Sequence, residues 1–227
     1  MDKASRRFPR AVLFDLDGTL LDSAPDMLAT ANRMREARGH TPMLLSELRP
    51  HVSRGSRAML AAAFPAVDDH RREAMVHEFL DTYLQELGRH SMLFDDIATM
   101  LQALDDDGVK WGIVTNKPEY LAREILPQHG WESRCSVLIG GDTLAEKKPH
   151  PLPLQTAAAW MGFRVEQCVY VGDDARDIQA ARAAGMPSIA ALWGYRVPDE
   201  VPSEWGAEVM LEAPSDMVDV ASWPIVA

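Results

Sequence analysis

Two aspartates near the N-terminus, Asp15 and Asp17, are of a type and spacing that could do chemistry, and Gly18 and Thr19 follow them. They come directly after a short apolar run, residues 11–14, that has the length of a buried strand. A carboxylate at a strand end can bind a cation or attack an electrophile, because strand ends open into clefts. A calcium loop is excluded, since no third ligand precedes the glycine and no glutamate closes the loop.

Further polar residues follow apolar runs of the same kind later in the chain. They are Thr115 and Asn116 after residues 111–114, Lys148 after residues 137–139, and Asp173 and Asp174 after residues 169–171. Because the carboxyl ends of parallel strands lie at one edge of a sheet, we expect these groups to meet Asp15 and Asp17 there. Each group alone could instead cap a turn or lie on a solvated surface. Capping does not readily explain four strand ends that all present such groups.

This set of groups suits phosphoryl transfer through a covalent aspartyl phosphate. Asp15 would attack phosphorus, and Mg²⁺ held by Asp15 and Asp173 would neutralise the charge of the phosphate. Lys148 would hold the nucleophile and a phosphate oxygen, and the hydroxyl of Thr115 would stabilise the equatorial oxygens. Asp17 is placed to protonate the leaving alkoxide and then to deprotonate the attacking water.

The alternation of apolar runs and helical stretches predicts an α/β fold, with a Rossmann-like, doubly wound parallel sheet. The predicted strands are residues 11–14, 111–114, 137–139, 169–171 and 189–192, with an edge strand at 209–211. The predicted helices of this core are residues 97–104, 120–128, 154–161 and 177–184.

The stretch between Thr19 and Trp111 is far longer than one crossover between strands needs. Apolar stripes at helical spacing occur there, after Pro25, over residues 56–64 and over residues 75–87. The chain is therefore expected to contain a small all-helical domain, residues 23–93, inserted into a catalytic core. That core would consist of residues 1–22 and 94–227.

The composition limits the kinds of partner that the protein can have. The chain has 227 residues, with 34 acidic against 23 basic side chains and a net charge of −11. This balance argues against nucleic acid or an anionic membrane as the main partner. A phosphorylated metabolite would then need local positive charge or a metal ion.

Cys135 and Cys168 are too few and too far apart for a disulfide framework, which indicates a reducing, cytoplasmic location. The expected assembly is a monomer or a homodimer.

Taken in order, these residues resemble the four motifs of the haloacid dehalogenase superfamily. The motifs are Asp15-Leu16-Asp17-Gly18-Thr19, Val114-Thr115-Asn116, Lys148-Pro149-His150-Pro151 and Gly172-Asp173-Asp174-Ala175-Arg176-Asp177. The resemblance covers nearly the whole chain. It implies that Asp15 is the nucleophile and a Mg²⁺ ligand. It also implies that Asp17 is both acid and base and lends its backbone carbonyl to the metal, and that Asp173 is the remaining protein ligand.

The same resemblance implies roles for the residues around these three. Thr115, Asn116 and Lys148 would bind the phosphate. Asp177 would steady the waters of the metal or Lys148, and Gly18 and Asp174 would support the site.

The helical insert resembles the mobile cap of the branch that contains phosphoglycolate phosphatases and β-phosphoglucomutases. Residues 20–23 and 115–118 fit the phosphoglycolate phosphatase-like subgroup, and residues 53–59 are similar to N-acetylmuramic acid 6-phosphate phosphatases. One departure is the second hinge. It reads Leu93-Phe94-Asp95-Asp96, where many relatives carry Pro-Gly.

The predicted function is a Mg²⁺-dependent phosphatase for a small acidic phosphomonoester, either 2-phosphoglycolate or a sugar acid phosphate such as N-acetylmuramic acid 6-phosphate. Arg54 and Arg57 are the candidates for pairing with the carboxylate of the substrate, although both could be ordinary surface arginines. A phosphomutase with the same motifs and a non-catalytic, phospho-accepting or binding protein on the same scaffold are the alternatives. A dehalogenase is less favoured, because Asp17 and Asp173 are both present.

Overall fold

The computed structural model describes residues 8–197 and 200–226. Its strands are β1 Ala11–Phe14, β2 Leu21–Asp22, β3 Met92–Leu93, β4 Lys110–Val114, β5 Cys135–Ile139, β6 Cys168–Gly172, β7 Ser188–Ala191 and β8 Val209–Leu211. Its α-helices are α1 Ala24–Glu36, α2 Leu45–Leu48, α3 Ser56–Ala63, α4 Asp69–Ala74, α5 Val76–Glu86, α6 Ile97–Asp106, α7 Glu119–Arg123, α8 Leu152–Met161 and α9 Ala175–Ala184.

Six of these strands form one sheet in the order β5-β4-β1-β6-β7-β8, and every neighbouring pair is parallel. In register, Ala11 of β1 pairs with Lys110 of β4 on one side and with Cys168 of β6 on the other. The first strand therefore lies in the middle of the sheet, beside the strands that follow the insert and precede α9. This is the doubly wound α/β fold that the sequence predicts.

Both faces of the sheet are covered by helices, which explains why β1 is apolar at every position. Val12 and Phe14 pack in a cluster with Leu101 of α6, whereas Leu13 packs on the opposite face with Leu154 of α8. Successive side chains of a strand point to opposite faces, so a central strand buried on both sides has no polar position. All four residues of β1 have no exposed surface.

Helices α1 to α5 lie in the chain between β2 and β3 and pack in a second hydrophobic cluster, which Leu121 and Tyr195 of the core also join. That cluster includes Met27, Leu48, Leu60, Phe79 and Tyr83. We call this inserted helical unit the cap, and residues 23–93 stay its proposed extent. The two linkers to the cap pair as antiparallel strands, with Leu21 opposite Leu93 and Asp22 opposite Met92.

A buried carboxylate in the cap holds the returning linker. Asp26 in the first turn of α1 accepts hydrogen bonds from the backbone N–H of Gly88 at 2.7 Å and of His90 at 2.6 Å, and from the hydroxyl of Ser91. In the second predicted hinge, Asp96 has a φ of 64°, which lies in the left-handed region. Aspartate tolerates that conformation better than most residues, so the turn forms without the glycine that many relatives carry.

The predicted helix over residues 120–128 is confirmed up to residue 123 and wrong beyond it. The helix ends at Arg123, and a 3-10 turn follows at Pro127–His129. Proline at 127 has no N–H to donate to the carbonyl of Arg123, so the α-helical hydrogen bonds stop there, although the backbone of Leu126 keeps helical angles. The pairing of β2 with β3 was not predicted, because two residues are too few to show a strand period. No helix in the described ranges is long and apolar enough to cross a membrane.

Candidate active site

The groups that follow the strands meet at one edge of the sheet. The sheet ladder continues one residue past β1 and β4, since Asp15 N–H donates to Val171 O at 2.9 Å and Thr115 N–H donates to Ile139 O at 2.9 Å. Asp173 follows β6, the other neighbour of β1. The structure thus brings the residues of the four motifs together.

Lys148 lies between two of the aspartates. Its Nζ is 3.0 Å from Asp15 Oδ1 and 2.7 Å from Asp177 Oδ1, and it donates to the hydroxyl of Tyr170 at 2.7 Å. Burial alone would lower the pKa of Lys148, but the charges of Asp15 and Asp177 outweigh it and raise the pKa. The ammonium is therefore charged and offsets negative charge at the proposed nucleophile. Tyr170 in turn donates to the carbonyl of Val114 at 2.7 Å.

Asp15, Asp173 and Asp177 form a buried acidic cluster. One carboxylate oxygen from each lies within 4.8 Å of the others. Burial, followed by repulsion from Asp15 and Asp177, raises the pKa of Asp173 well above its usual range. Burial also raises the pKa of Asp177, to about 7, although the charge of Lys148 opposes the rise. Oxygen ligands with excess negative charge are what Mg²⁺ prefers, so these side chains fit that cation.

Asp173 is oriented by three donors from different parts of the chain. Thr19 Oγ1 donates to its Oδ1 at 3.1 Å, while the N–H of Tyr195 at 2.9 Å and the hydroxyl of Ser53 at 3.2 Å donate to its Oδ2. Ser53 belongs to the cap, so a cap residue touches the acidic cluster directly. Gly18 has a φ of 91°, and a Cβ there would overlap the carboxylate of Asp173. Only glycine fits at this position.

The carboxylate of Asp17 is not paired with the acidic cluster. It accepts from Lys117 Nζ at 3.0 Å and 3.1 Å, and the same ammonium donates to the hydroxyl of Tyr83 in α5 at 2.6 Å. Burial and the nearby charge of Asp17 raise the pKa of Tyr83 well above 10, so the phenol is neutral. The sequence reasoning missed Lys117 and Tyr83. Lys117 could have been found as the residue after Asn116, whereas Tyr83 was hidden within an apolar stripe.

The second motif contributes polar groups at the end of β4. Thr115 Oγ1 accepts from the N–H of Lys117 at 3.3 Å, and Asn116 Nδ2 donates to the carbonyl of Lys148 at 2.9 Å. Asn116 Oδ1 is buried and has no hydrogen-bond partner in the described part of the chain. Both side chains line the cavity described below, as expected for groups that contact a phosphate.

Asp174 and Asp177 stabilise the start of α9. Asp174 accepts from the N–H of Arg176 at 2.9 Å and from its Nε at 2.7 Å, while Asp177 Oδ2 accepts from the N–H of Asp174 at 3.1 Å. Burial would raise the pKa of Asp174, but the hydrogen bonds and charge of Arg176 lower it below its usual value. Arg176 also donates to the backbone carbonyl of Ser53 in the cap.

A cavity of about 560 Å³ lies between the core and the cap at this edge. One wall holds the motif residues, and the other wall comes largely from the cap. The cap wall has apolar side chains, which are Met27, Val52, Met59, Val76, Phe79, Leu80 and Tyr83, and polar ones, which are Ser53, Arg54, Ser56 and Arg57. A cavity of this volume is the size of a ligand-binding pocket.

The cationic side chains of the cavity differ in whether they already have partners. Arg57 forms two hydrogen bonds of 2.6 Å with Glu73, and Arg54 lies 3.0 Å from a carboxylate oxygen of Glu200. Both predicted specificity residues line the cavity, but each is paired with an acid of the protein itself. Lys147 also lines the cavity, and among residues 8–197 and 200–226 no carboxylate forms an ion pair with it.

Comparison with known proteins identifies the family. The sequence profile of the family described as haloacid dehalogenase-like hydrolase matches residues 12–191, a range that contains all four motifs. The chain belongs to this family. It is 64% identical over 218 residues to a phosphoglycolate phosphatase of Xanthomonas campestris, a match that covers 96% of this chain and 99% of that protein.

A second curated relative carries a different substrate name. The N-acetylmuramic acid 6-phosphate phosphatase of Pseudomonas aeruginosa is 41% identical over 212 residues, covering 93% of this chain and 94% of that protein. These relatives confirm the predicted enzyme class, a phosphoric monoester hydrolase. A crystal structure described as a predicted phosphoglycolate phosphatase from Haemophilus somnus has a TM-score of 0.83 and 24% identity, covering 93% of this chain and 97% of that chain. At that identity the likeness concerns the fold alone.

Proposed function

We propose that this protein is a Mg²⁺-dependent phosphatase that hydrolyses an acidic phosphomonoester through a phosphorylated Asp15. The main observation behind the proposal is the contact of Lys148 with both Asp15 and Asp177 in a buried acidic cluster, beside Asp17 and at the wall of the cavity between core and cap. A carboxylate becomes a useful nucleophile toward a phosphate only where positive charge surrounds both groups.

In the first step, an oxygen of Asp15 forms a bond to phosphorus while the ester P–O bond breaks. The electron pair of that bond goes to the leaving oxygen, which takes a proton from Asp17. In the second step, Asp17 takes a proton from a water molecule as the water oxygen bonds to phosphorus. The bond to Asp15 breaks, which regenerates its carboxylate and releases inorganic phosphate.

The residues proposed to hold Mg²⁺ are Asp15 and Asp173, with the backbone carbonyl of Asp17. A bound Mg²⁺ would neutralise charge on the phosphate during transfer. Asp177 lies in the same cluster and also holds Lys148, so it would fix both the lysine and the surroundings of the metal. Thr115 and Asn116 would donate to the phosphate oxygens.

The size and lining of the cavity favour a sugar acid phosphate as the substrate. A cavity of about 560 Å³ with a partly apolar cap wall suits a ligand that has an apolar substituent as well as a phosphate and an acid. N-acetylmuramic acid 6-phosphate has all three features. A second candidate, 2-phosphoglycolate, is favoured by the name of the Xanthomonas relative. Both are small phosphorylated metabolites, and a cytoplasmic monomer or homodimer remains part of the proposal.

One experiment tests the proposal and its alternatives. Purified protein is assayed for phosphate release from N-acetylmuramic acid 6-phosphate, 2-phosphoglycolate and β-glucose 1-phosphate, with Mg²⁺ and with a chelator. We expect Mg²⁺-dependent release from an acidic ester and its loss in Asp15→Asn. Asp107→Asn, an exposed aspartate at the end of α6, is the matched control. Release that is equal in Asp15→Asn would refute the proposal, and isomerised sugar phosphate without free phosphate would identify a mutase.

A further inference from the structure

Lys117 joins Asp17 in the core to Tyr83 in the cap. Its Nζ lies 3.0 Å and 3.1 Å from the two carboxylate oxygens of Asp17 and 2.6 Å from the hydroxyl of Tyr83. The side chain of Lys117 is 3% exposed and that of Asp17 is 14% exposed. An ammonium has three N–H donors, and these three contacts are enough to use all of them.

Both ends of this connection are fixed by their own surroundings. In the core, the N–H of Lys117 donates to Thr115 Oγ1 at 3.3 Å, and its carbonyl accepts from Gly141 N–H at 2.8 Å. In the cap, Tyr83 is buried and its ring stacks on Phe79 with centroids 6.4 Å apart. The hydroxyl of Tyr83 therefore moves only when α5 moves.

We propose that Lys117 is a positioning residue: it holds the carboxylate of Asp17 in a direction that depends, through Tyr83, on the place of the cap. The inference rests on the proposed function, since it assumes that Asp17 transfers the proton. It adds a residue outside the four motifs and a physical link between cap and chemistry. The neutral phenol of Tyr83 can accept from the ammonium without competing with Asp17 for its charge.

The distances explain why the link is sensitive to the cap. A hydrogen bond of 2.6 Å is lost when the two heavy atoms separate by about 1 Å more, because such bonds weaken steeply beyond about 3.2 Å. Lys117 would then be free to turn, together with Asp17. A reacting group misplaced by ~1 Å can cost ~10²-fold in rate. Proton transfer would therefore be efficient only when the cap is packed against the core.

The test uses the dependence of each variant on the leaving group. An alkyl ester needs protonation of its leaving oxygen, whereas p-nitrophenyl phosphate releases a stable nitrophenolate without it. Comparing kcat/KM for the two esters isolates the step in which the leaving group departs. The variants are Lys117→Met, Lys117→Arg and Tyr83→Phe. Lys110→Met, which changes an exposed lysine at the start of β4, the strand that precedes Lys117, is the control.

For the acidic alkyl ester, we expect kcat/KM to fall ~10²-fold in Lys117→Met and about tenfold in Tyr83→Phe, with little change for p-nitrophenyl phosphate. Lys117→Arg should restore part of the loss because it keeps the charge. The double variant should be no slower than Lys117→Met, because Tyr83 acts through the lysine. Equal losses of kcat/KM on both esters would overturn the inference. So would a loss of kcat/KM in the double variant that is the full sum, in free energy, of the two single losses.

Asp17→Asn separates this inference from the proposed function. If Asp17→Asn shows no dependence on the leaving group, the proposed role of Asp17 is wrong, and the inference about Lys117 falls with it. Another outcome is that Asp17→Asn lowers kcat/KM for the alkyl ester more than for p-nitrophenyl phosphate while Tyr83→Phe does not. In that case the proposed function stands and the inference alone fails. Should Lys117→Met prove unfolded by circular dichroism, Tyr83→Phe decides the matter, since it removes one oxygen and keeps the stacked ring.

Discussion

Lys148 Nζ lies 2.7 Å from Asp177 Oδ1, and both side chains are only 2% exposed. The same ammonium reaches the proposed nucleophile Asp15. One cation thus compensates two buried carboxylates. The contact therefore affects both the stability of the fold and the chemistry.

Replacing Lys148 by methionine should lower both the stability of the fold and the phosphatase activity. Removing one partner of a buried ion pair leaves an uncompensated charge and costs ~3–5 kcal/mol, so we expect a large drop in melting temperature with the loss of activity. The double variant Lys148→Met/Asp177→Asn should regain stability but not activity. A double variant no more stable than Lys148→Met would show that the pair does not act as a unit. Melting temperature and phosphate release measure the two effects.

Asp173→Asn should stabilise the protein in chelator while it abolishes activity. Burial, followed by repulsion from Asp15 and Asp177, raises the pKa of Asp173, so the folded state holds a proton that the unfolded state releases. The free energy of unfolding of the metal-free wild type therefore falls as the pH rises through the folded-state pKa. The variant lacks that dependence. Thermal melts across pH, with chelator and with Mg²⁺, measure this.

Mg²⁺ gives the complementary result. It should raise the melting temperature of the wild type, because a ligand that binds only the folded state stabilises it. The gain should be much smaller in Asp173→Asn. An equal gain in both proteins would place the metal elsewhere.

Gly18→Ala should destabilise more than Gly108→Ala. Both glycines have positive φ, 91° and 71°, so each substitution costs ~1–2 kcal/mol of backbone strain. Nothing lies near a Cβ at Gly108, whereas a Cβ at Gly18 overlaps Asp173. The difference between the two variants in the free energy of unfolding therefore measures the cost of the overlap with Asp173. Equal losses in chemical denaturation would show that Asp173 moves aside freely.

Selectivity for an acidic substrate should depend most on Lys147. Arg57 and Arg54 must leave Glu73 and Glu200 to bind a substrate carboxylate, whereas Lys147 has no such partner in the described part of the chain. Lys147→Met should lower kcat/KM for the acidic ester about 5- to 10-fold, which corresponds to ~1 kcal/mol. The kcat/KM for p-nitrophenyl phosphate, which has no carboxylate, should change little. If Arg57→Ala shows the larger selective loss, the original prediction for Arg57 is the better one.

The acidic site was predictable because its residues obey two local rules. Buried strands are recognisable as short apolar runs, and in a parallel sheet their carboxyl ends share an edge. The position of Asp15, Thr115 and Asp173 follows from these rules without any knowledge of side-chain packing. Their roles in catalysis stay predictions until the variants are measured.

The contacts between cap and core were not predictable from the sequence. Tyr83 fits the apolar stripe of α5 as well as Phe79 does, and nothing in the spacing shows that its hydroxyl reaches Lys117. Which face of an inserted helix meets the core depends on packing between distant segments. The same reason hides the contact of Ser53 with Asp173.

The pairing of β2 with β3 has a consequence for how the chain folds. Because Leu21 lies opposite Leu93, the chain leaves the core and returns to it at neighbouring points. The two ends of the insert are as close together in the core as the two ends of a tight turn. If the insert collapses on its own, the core loses little chain entropy in closing around it, since that loss depends on the free length of the loop. Such an insert can also be exchanged for another of different size while the parallel sheet keeps its register.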